Sequence, residues 1–149
     1  MAKKSILLVT NNQAELDMLN KLLGRFDYYE IMSAASGEEG IDKACAKRPD
    51  LIILDVFIPK KNGFAACKIL KSKPDLANIP VILLTSSKKD CEDFWGADVY
   101  MSRPVKEHEL LRAVFHFLSR HLLFRYEREE RRRQRRGGKA RPHAITSMF

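Results

Sequence analysis

Apolar positions along the chain fall into two alternating arrangements. Short continuous runs of leucine and β-branched residues give way to longer stretches in which leucine, valine and phenylalanine recur at helical spacing. Residues 5–10 predict a buried strand, and 13–26 a helix carrying Leu16, Leu19, Leu22, Leu23 and Phe26 on one face, with Asn12 as its cap. Residues 30–34 predict a second strand. Ser36-Gly-Glu-Glu39 reads as a capping box, the serine oxygen serving a backbone N–H three residues on, and opens a helix to about residue 48. The third strand, 51–55, is apolar until it ends on a carboxylate, Asp55. A helix over 63–73, a strand over 80–85, a short helix over 91–95 and a strand over 99–101 follow, and a last helix begins near residue 105.

Five such βα units predict an α/β fold: a flavodoxin-like, five-stranded parallel sheet with helices on both faces, because right-handed crossovers place them there. The common strand order for five units, 2-1-3-4-5, brings the ends of strands one, three and four together. Thr10, Asn11, Asp55 and Thr85 are therefore expected in one pocket at the edge where open parallel sheets bind ligands.

With 149 residues there is room for one domain and an appendage. The charge marks the division. Residues 125–141 hold nine Arg/Lys against three Glu, and the preceding residues eighteen against sixteen, so basicity belongs to the tail. The expected organisation is a domain over 1–122 and a basic helical extension with a flexible tail over 123–149. Cys45, Cys67 and Cys91 are odd in number and widely spaced, which encodes neither a disulfide framework nor a zinc site. The start of the chain lacks the pattern of a signal peptide, and no apolar stretch approaches a membrane span, so a cytoplasmic location is expected.

Pro49-Asp-Leu-Ile-Ile-Leu-Asp-Val-Phe-Ile-Pro59, followed by Asn62-Gly63, resembles the phosphoacceptor segment of the response-regulator receiver domain of two-component signalling. Over residues 4–120, further markers of that family occur in order. Asp55 matches the phosphoacceptor, Pro59 and Gly63 the turn after it, and Thr85 the hydroxyl residue closing strand four. Tyr100 matches the switch aromatic and Arg103-Pro104 the family's Lys-Pro pair, which implies a cis peptide bond there. The resemblance implies a signalling protein with a partner such as a histidine kinase. No Gly-rich phosphate loop or Ser/His/Asp motif suggests an independent enzyme, and His108, His116 and His121 lack partners at metal-ligand spacing.

The pocket departs from the family pattern. Receivers hold Mg²⁺ through the phosphoacceptor, a backbone carbonyl two residues on (here Phe57) and an acidic pair ending strand one. Here the pair reads Thr10-Asn11, both neutral, and Asn12 does not replace it. Magnesium wants charged oxygen ligands, so no resident metal or other cofactor is expected, and Mg²⁺ matters only if Asp55 is phosphorylated. Arg103, a planar fork in place of a point charge, is left to hold any anion. Two readings stay open for Asp55: a phosphoacceptor in an altered pocket, or a carboxylate that salt-bridges Arg103 and fixes one conformation. Thr85 and Tyr100 carry the same pair of readings, a coupled switch or a strand end and a space-filling ring.

The last helix outruns a receiver. Leu110, Leu111, Val114, Phe115, Leu118 and Leu122 form its inward stripe, while Phe117, Leu123, Phe124 and Tyr126 add apolar surface elsewhere. Glu127, Glu129 and Glu130 lie three or four residues from arginines, which supports helix as far as Gly137. A helix of about thirty residues would project about 45 Å, and its apolar surface predicts a homodimer or a partner held there. Arg131, Arg132, Arg133, Arg135 and Arg136 read either as a solvated helix end or as an anion-binding arm for nucleic acid, a cyclic dinucleotide or an acidic surface. The expected function is that of a pseudo-receiver acting by protein contacts with impaired Mg²⁺-dependent phosphorylation. A phosphorylatable regulator using Asp55 and a binder of anionic ligands through the tail are the alternatives.

Overall fold

The computed structural model describes residues 3–60, 62–86 and 96–137. They divide into two compact units, 1–105 and 106–149 by residue number, so that the units part ahead of the last two helices and not at the change of composition near residue 122. The short helix expected over 91–95 lies outside the described residues, as does Cys91.

The first unit is a five-stranded sheet in the order β2-β1-β3-β4-β5, with every pairing parallel. Its strands are β1 Lys4–Val9, β2 Tyr29–Ala34, β3 Leu51–Asp55, β4 Val81–Thr85 and β5 Val99–Ser102. Among the described residues three helices intervene: α1 Gln13–Leu23, α2 Gly37–Lys47 and α3 Gly63–Ser72. The expected fold class and strand order are thus the observed ones. β3 and β4 are buried at every position, which is why their sequences run apolar without alternation. Side chains on alternate strand positions serve opposite faces. Leu7, Val9, Ile52, Leu54, Val81 and Leu83 join Ala44 of α2 and Ala66, Cys67 and Leu70 of α3 in one cluster. The buried stripe of α1, Leu19, Leu22 and Leu23, stands outside that cluster.

The start of each of these three helices is set by a side chain in the preceding turn. Asn12, Ser36 and Asn62 accept from the backbone N–H groups of Glu15, Glu39 and Ala65 at 2.9–3.1 Å. Glu39 reaches back to Ala35 N at 2.9 Å, one residue beyond the Ser36 N–H that a capping box would use. Gly63 is required by its surroundings. A Cβ there would strike the Asp55 carbonyl and lie 2.6 Å from Val56 Cα, and its N–H donates to Val56 O at 2.9 Å.

The second unit corrects the expectation of one projecting helix. The described chain forms α4, Glu107–Leu118, and α5, Arg120–Arg135, separated by Ser119 at φ −151° and ψ 71°. α5 folds back on α4: Tyr126 lies 5.7 Å from Phe115 between ring centroids, its hydroxyl is 2.6 Å from His108 Nδ1, and Arg112 pairs with Glu127 at 3.1 Å. In a straight helix His108 and Tyr126 would be about 27 Å apart. The cause is visible in the pattern. Leu122 and Tyr126 continue the apolar stripe of α4, and folding back buries them to 1% and 3% exposure. Each such side chain contributes roughly 1.5–3 kcal/mol when buried, more than the bonds lost at one serine of modest helix propensity. α5 ends before Gly137, whose φ of 70° is the left-handed conformation that terminates helices.

Candidate functional site

The ends of four strands, β1, β3, β4 and β5, build the site. Register places Asp55 beside Leu84, and Thr85 beside Ser102. Arg103 follows β5 directly, with its N–H donating to Thr85 O at 2.8 Å and its peptide bond to Pro104 cis, as the Arg103-Pro104 pair implies. Across the sheet Val9 ends β1, and Thr10 is held by its N–H to Ala34 O at 3.0 Å.

The Asp55 carboxylate is 6% exposed and engaged on both oxygens. Oδ1 accepts from Phe57 N–H at 3.0 Å and pairs with Arg103 Nη2 at 2.9 Å. Oδ2 accepts from the Thr10 hydroxyl at 3.3 Å. Arg103 in turn is a double clamp. Its Nε and Nη2 donate to the two oxygens of Glu15 at 2.7 and 2.9 Å. Burial works against the charge on Arg103, but the hydrogen bond to Glu15 and the charges of Asp55 and Glu15 more than offset it, holding its pKa above the usual value. Such charge-assisted, bidentate pairs are the strong hydrogen bonds of a protein interior.

Glu15 is the site residue that sequence reasoning missed. It sits in the first turn of α1, buried to 9% exposure beside Leu19 and Leu22. The signal was present: Glu15, Leu19, Leu22 and Phe26 follow i, i+4, i+7, i+11, so the carboxylate occupies the first slot of the buried stripe, whereas the expected Leu16 is only half-buried.

Asn11, Asn12, Asp55, Phe57, Ser86 and Arg103 line an open cleft. Asn11 lies beside Asp55 in this lining, and Thr10 reaches Asp55 through its hydroxyl. Thr85 is wholly buried at the end of β4, and Ser86, one residue on, takes the place in the lining. Tyr100 pairs in register with Leu83, two residues before Thr85, packs on the core cluster and accepts from Ala97 N–H at 3.2 Å through its hydroxyl. Asn62, where receivers usually carry an acid, is the cap of α3. Of the tail arginines on α5, Arg131, Arg132, Arg135 and Arg136 are exposed, and Arg133 pairs with Glu129 at 3.8 Å. Among the described residues no group of three His, Cys, Asp or Glu could hold a metal, and no helix is long and apolar enough to cross a membrane.

Magnesium does not fit these residues. A hard divalent cation needs several oxygens, most of them charged. Asp55 and the Phe57 carbonyl remain, the acidic pair is Thr10 and Asn11, both Glu15 oxygens are taken up by Arg103, and the guanidinium already places positive charge 2.9 Å from Asp55.

Comparison with known proteins agrees with the fold. The family model for the response regulator receiver domain matches residues 6–115, and this chain belongs to that family, a class of two-component signalling proteins. The transcriptional regulatory protein YvrH of Bacillus subtilis is 34% identical over 124 residues, 80% of this chain and 51% of YvrH, so the chain spans about half of that relative. Protein PilH of Pseudomonas aeruginosa is 29% identical over 113 residues, covering 73% of this chain and 93% of PilH. Among solved structures, the signal receiver domain of a signal transduction histidine kinase from Syntrophus aciditrophicus superposes with a TM-score of 0.72 at 36% identity, covering 78% of this chain and 90% of that one.

Proposed function

We propose that this receiver is a pseudo-receiver, in which the Arg103 clamp takes the place of Mg²⁺-dependent aspartyl phosphorylation and a single conformation is presented to protein partners. One observation carries the reading: Arg103 bridges Asp55 and Glu15 with three contacts of 2.7–2.9 Å. A phosphoacceptor must attack through a carboxylate oxygen while positive charge neutralises the transferred phosphoryl group. Here both Asp55 oxygens already have donors, and Arg103, the one cation lining the cleft among the described residues, is committed to two carboxylates. The site thus has the composition of a buried ion triad that is complete without a ligand.

The output of such a protein is contact with a signalling partner, a histidine kinase or a protein downstream of one. A homodimer through the last helix loses its main support, because α5 buries Leu122 and Tyr126 against α4 and leaves Phe124, at 62% exposure, as the large apolar residue standing out on α5. A second reading, phosphorylation of Asp55, draws on the open cleft in front of it. Titration with beryllofluoride with and without Mg²⁺, followed by NMR at the Thr85 and Tyr100 amides, separates the two. The pseudo-receiver leaves both amides unmoved. Saturable, Mg²⁺-dependent shifts at both select the phosphorylatable regulator.

A further inference from the structure

The charges on the exposed face of α5 are sorted. At roughly 100° per residue, Phe124, Arg128, Arg131, Arg132, Arg135 and Arg136 fall within about 140° of the helix circumference. All six are exposed. The carboxylates of the same helix, Glu127, Glu129 and Glu130, fall outside that arc and are half-buried, with Glu127 on Arg112 at 3.1 Å and Glu129 on Arg133 at 3.8 Å. A helix end that is merely solvated intersperses charges of both signs, because i,i+4 pairs stabilise it. This one keeps its acids off the basic stripe and seats an aromatic ring in it, one turn before Arg128.

We propose that this stripe binds single-stranded nucleic acid independently of sequence, the arginines on phosphates and Phe124 stacked on a base. The chemistry selects this occupant over others that clustered positive charge attracts. Every cation of α5 outside its histidine is arginine, none lysine. The guanidinium matches phosphate bidentately and also stacks on planar rings, whereas general attraction to charge is served equally by lysine. An interfacial membrane helix needs a continuous apolar face on its free side, and this side offers one ring. A basic track with an exposed aromatic is the arrangement that holds single strands without reading bases.

The test uses the full chain and a fluorescently labelled thymidine oligonucleotide, read by anisotropy across a salt series. Five arginines on phosphates give a slope of log affinity against log salt near −3.5, at about −0.7 per phosphate for single strands. Phe124→Ala is expected to weaken binding roughly tenfold without changing the slope, and Phe124→Tyr to leave it intact. Arg128→Gln with Arg132→Gln should reduce the slope by about 1.4. These positions are exposed, and unchanged helicity by circular dichroism confirms that the variants fold. The proposal is overturned by salt-insensitive or absent binding, by equal affinity for polyglutamate or for phosphatidylserine vesicles, or by a Phe124→Ala variant that binds as the parent does.

Discussion

Arg103 and Glu15, 88 positions apart in sequence, meet through two hydrogen bonds of 2.7 and 2.9 Å. The pair ties the first turn of α1 to the end of β5 across the strand that carries Asp55. Because Glu15 is buried and Arg103 only a quarter exposed, losing one partner leaves the other charge poorly compensated. Glu15→Gln is expected to destabilise the fold by roughly 1–3 kcal/mol, less than a fully buried pair because Arg103 keeps Asp55 and some water. Chemical denaturation checks this. A double-mutant cycle with Arg103→Gln should return a coupling of the same order between residues in contact.

Restoring the acidic pair tests the account of the metal. Thr10→Asp with Asn11→Asp adds two carboxylates beside Asp55, and calorimetric Mg²⁺ affinity should rise by orders of magnitude, since charged oxygen ligands supply most of it. Adding Arg103→Lys should raise it further, because lysine cannot hold Glu15 and Asp55 in the same forked geometry. Glu15→Gln alone should leave magnesium binding weak.

Much of this was legible beforehand. β3 and β4 are unbroken apolar runs and permit one reading, and the cap residues Asn12 and Ser36 announce their helices. Asp55 and Arg103 are found through the order of motifs along the chain. Glu15 was hidden because a carboxylate in the first turn of a helix is ordinarily explained by the helix dipole, and only its phase against Leu19, Leu22 and Phe26 betrays its inward aim. The break at Ser119 was hidden for a related reason: Leu122 and Tyr126 keep the phase of α4, so periodicity alone reads through a bend that tertiary burial creates.

Gly63 permits a close approach that positions the loop after Asp55. Gly63→Ala forces a methyl group against the Asp55 carbonyl and Val56 Cα, both backbone, so the strand end or α3 must shift. The expected cost is about 1–3 kcal/mol, the range for overpacking, and the amide signals of Asp55 and Val56 should move more than those of β2.

Stability at alkaline pH should fall in two places. Burial pushes the Cys67 thiol from 9.0 up to about 11, and burial followed by the nearby Glu130 and Glu107 charges pushes Tyr126 from 10.0 up to about 12. In both cases the folded chain holds its proton longer than the unfolded chain does. The contribution is complete below pH 9.0 for Cys67 and below pH 10.0 for Tyr126, and is lost as pH rises through the folded values of about 11 and about 12. Tyr126→Phe should flatten the upper window, and Cys67→Ala the lower, in denaturation followed across pH. A slope unchanged in both variants contradicts this assignment.

In the proposed pseudo-receiver Asp55 is held by Arg103 as a structural anion and is not a working phosphoacceptor. Intact-mass spectrometry of the full chain after incubation with acetyl phosphate, with and without Mg²⁺, tests it most directly. The account predicts no more than a trace of phosphorylated protein in either condition, the same in the parent and in Asp55→Asn. Stoichiometric phosphate that requires Mg²⁺ and disappears in Asp55→Asn would contradict it.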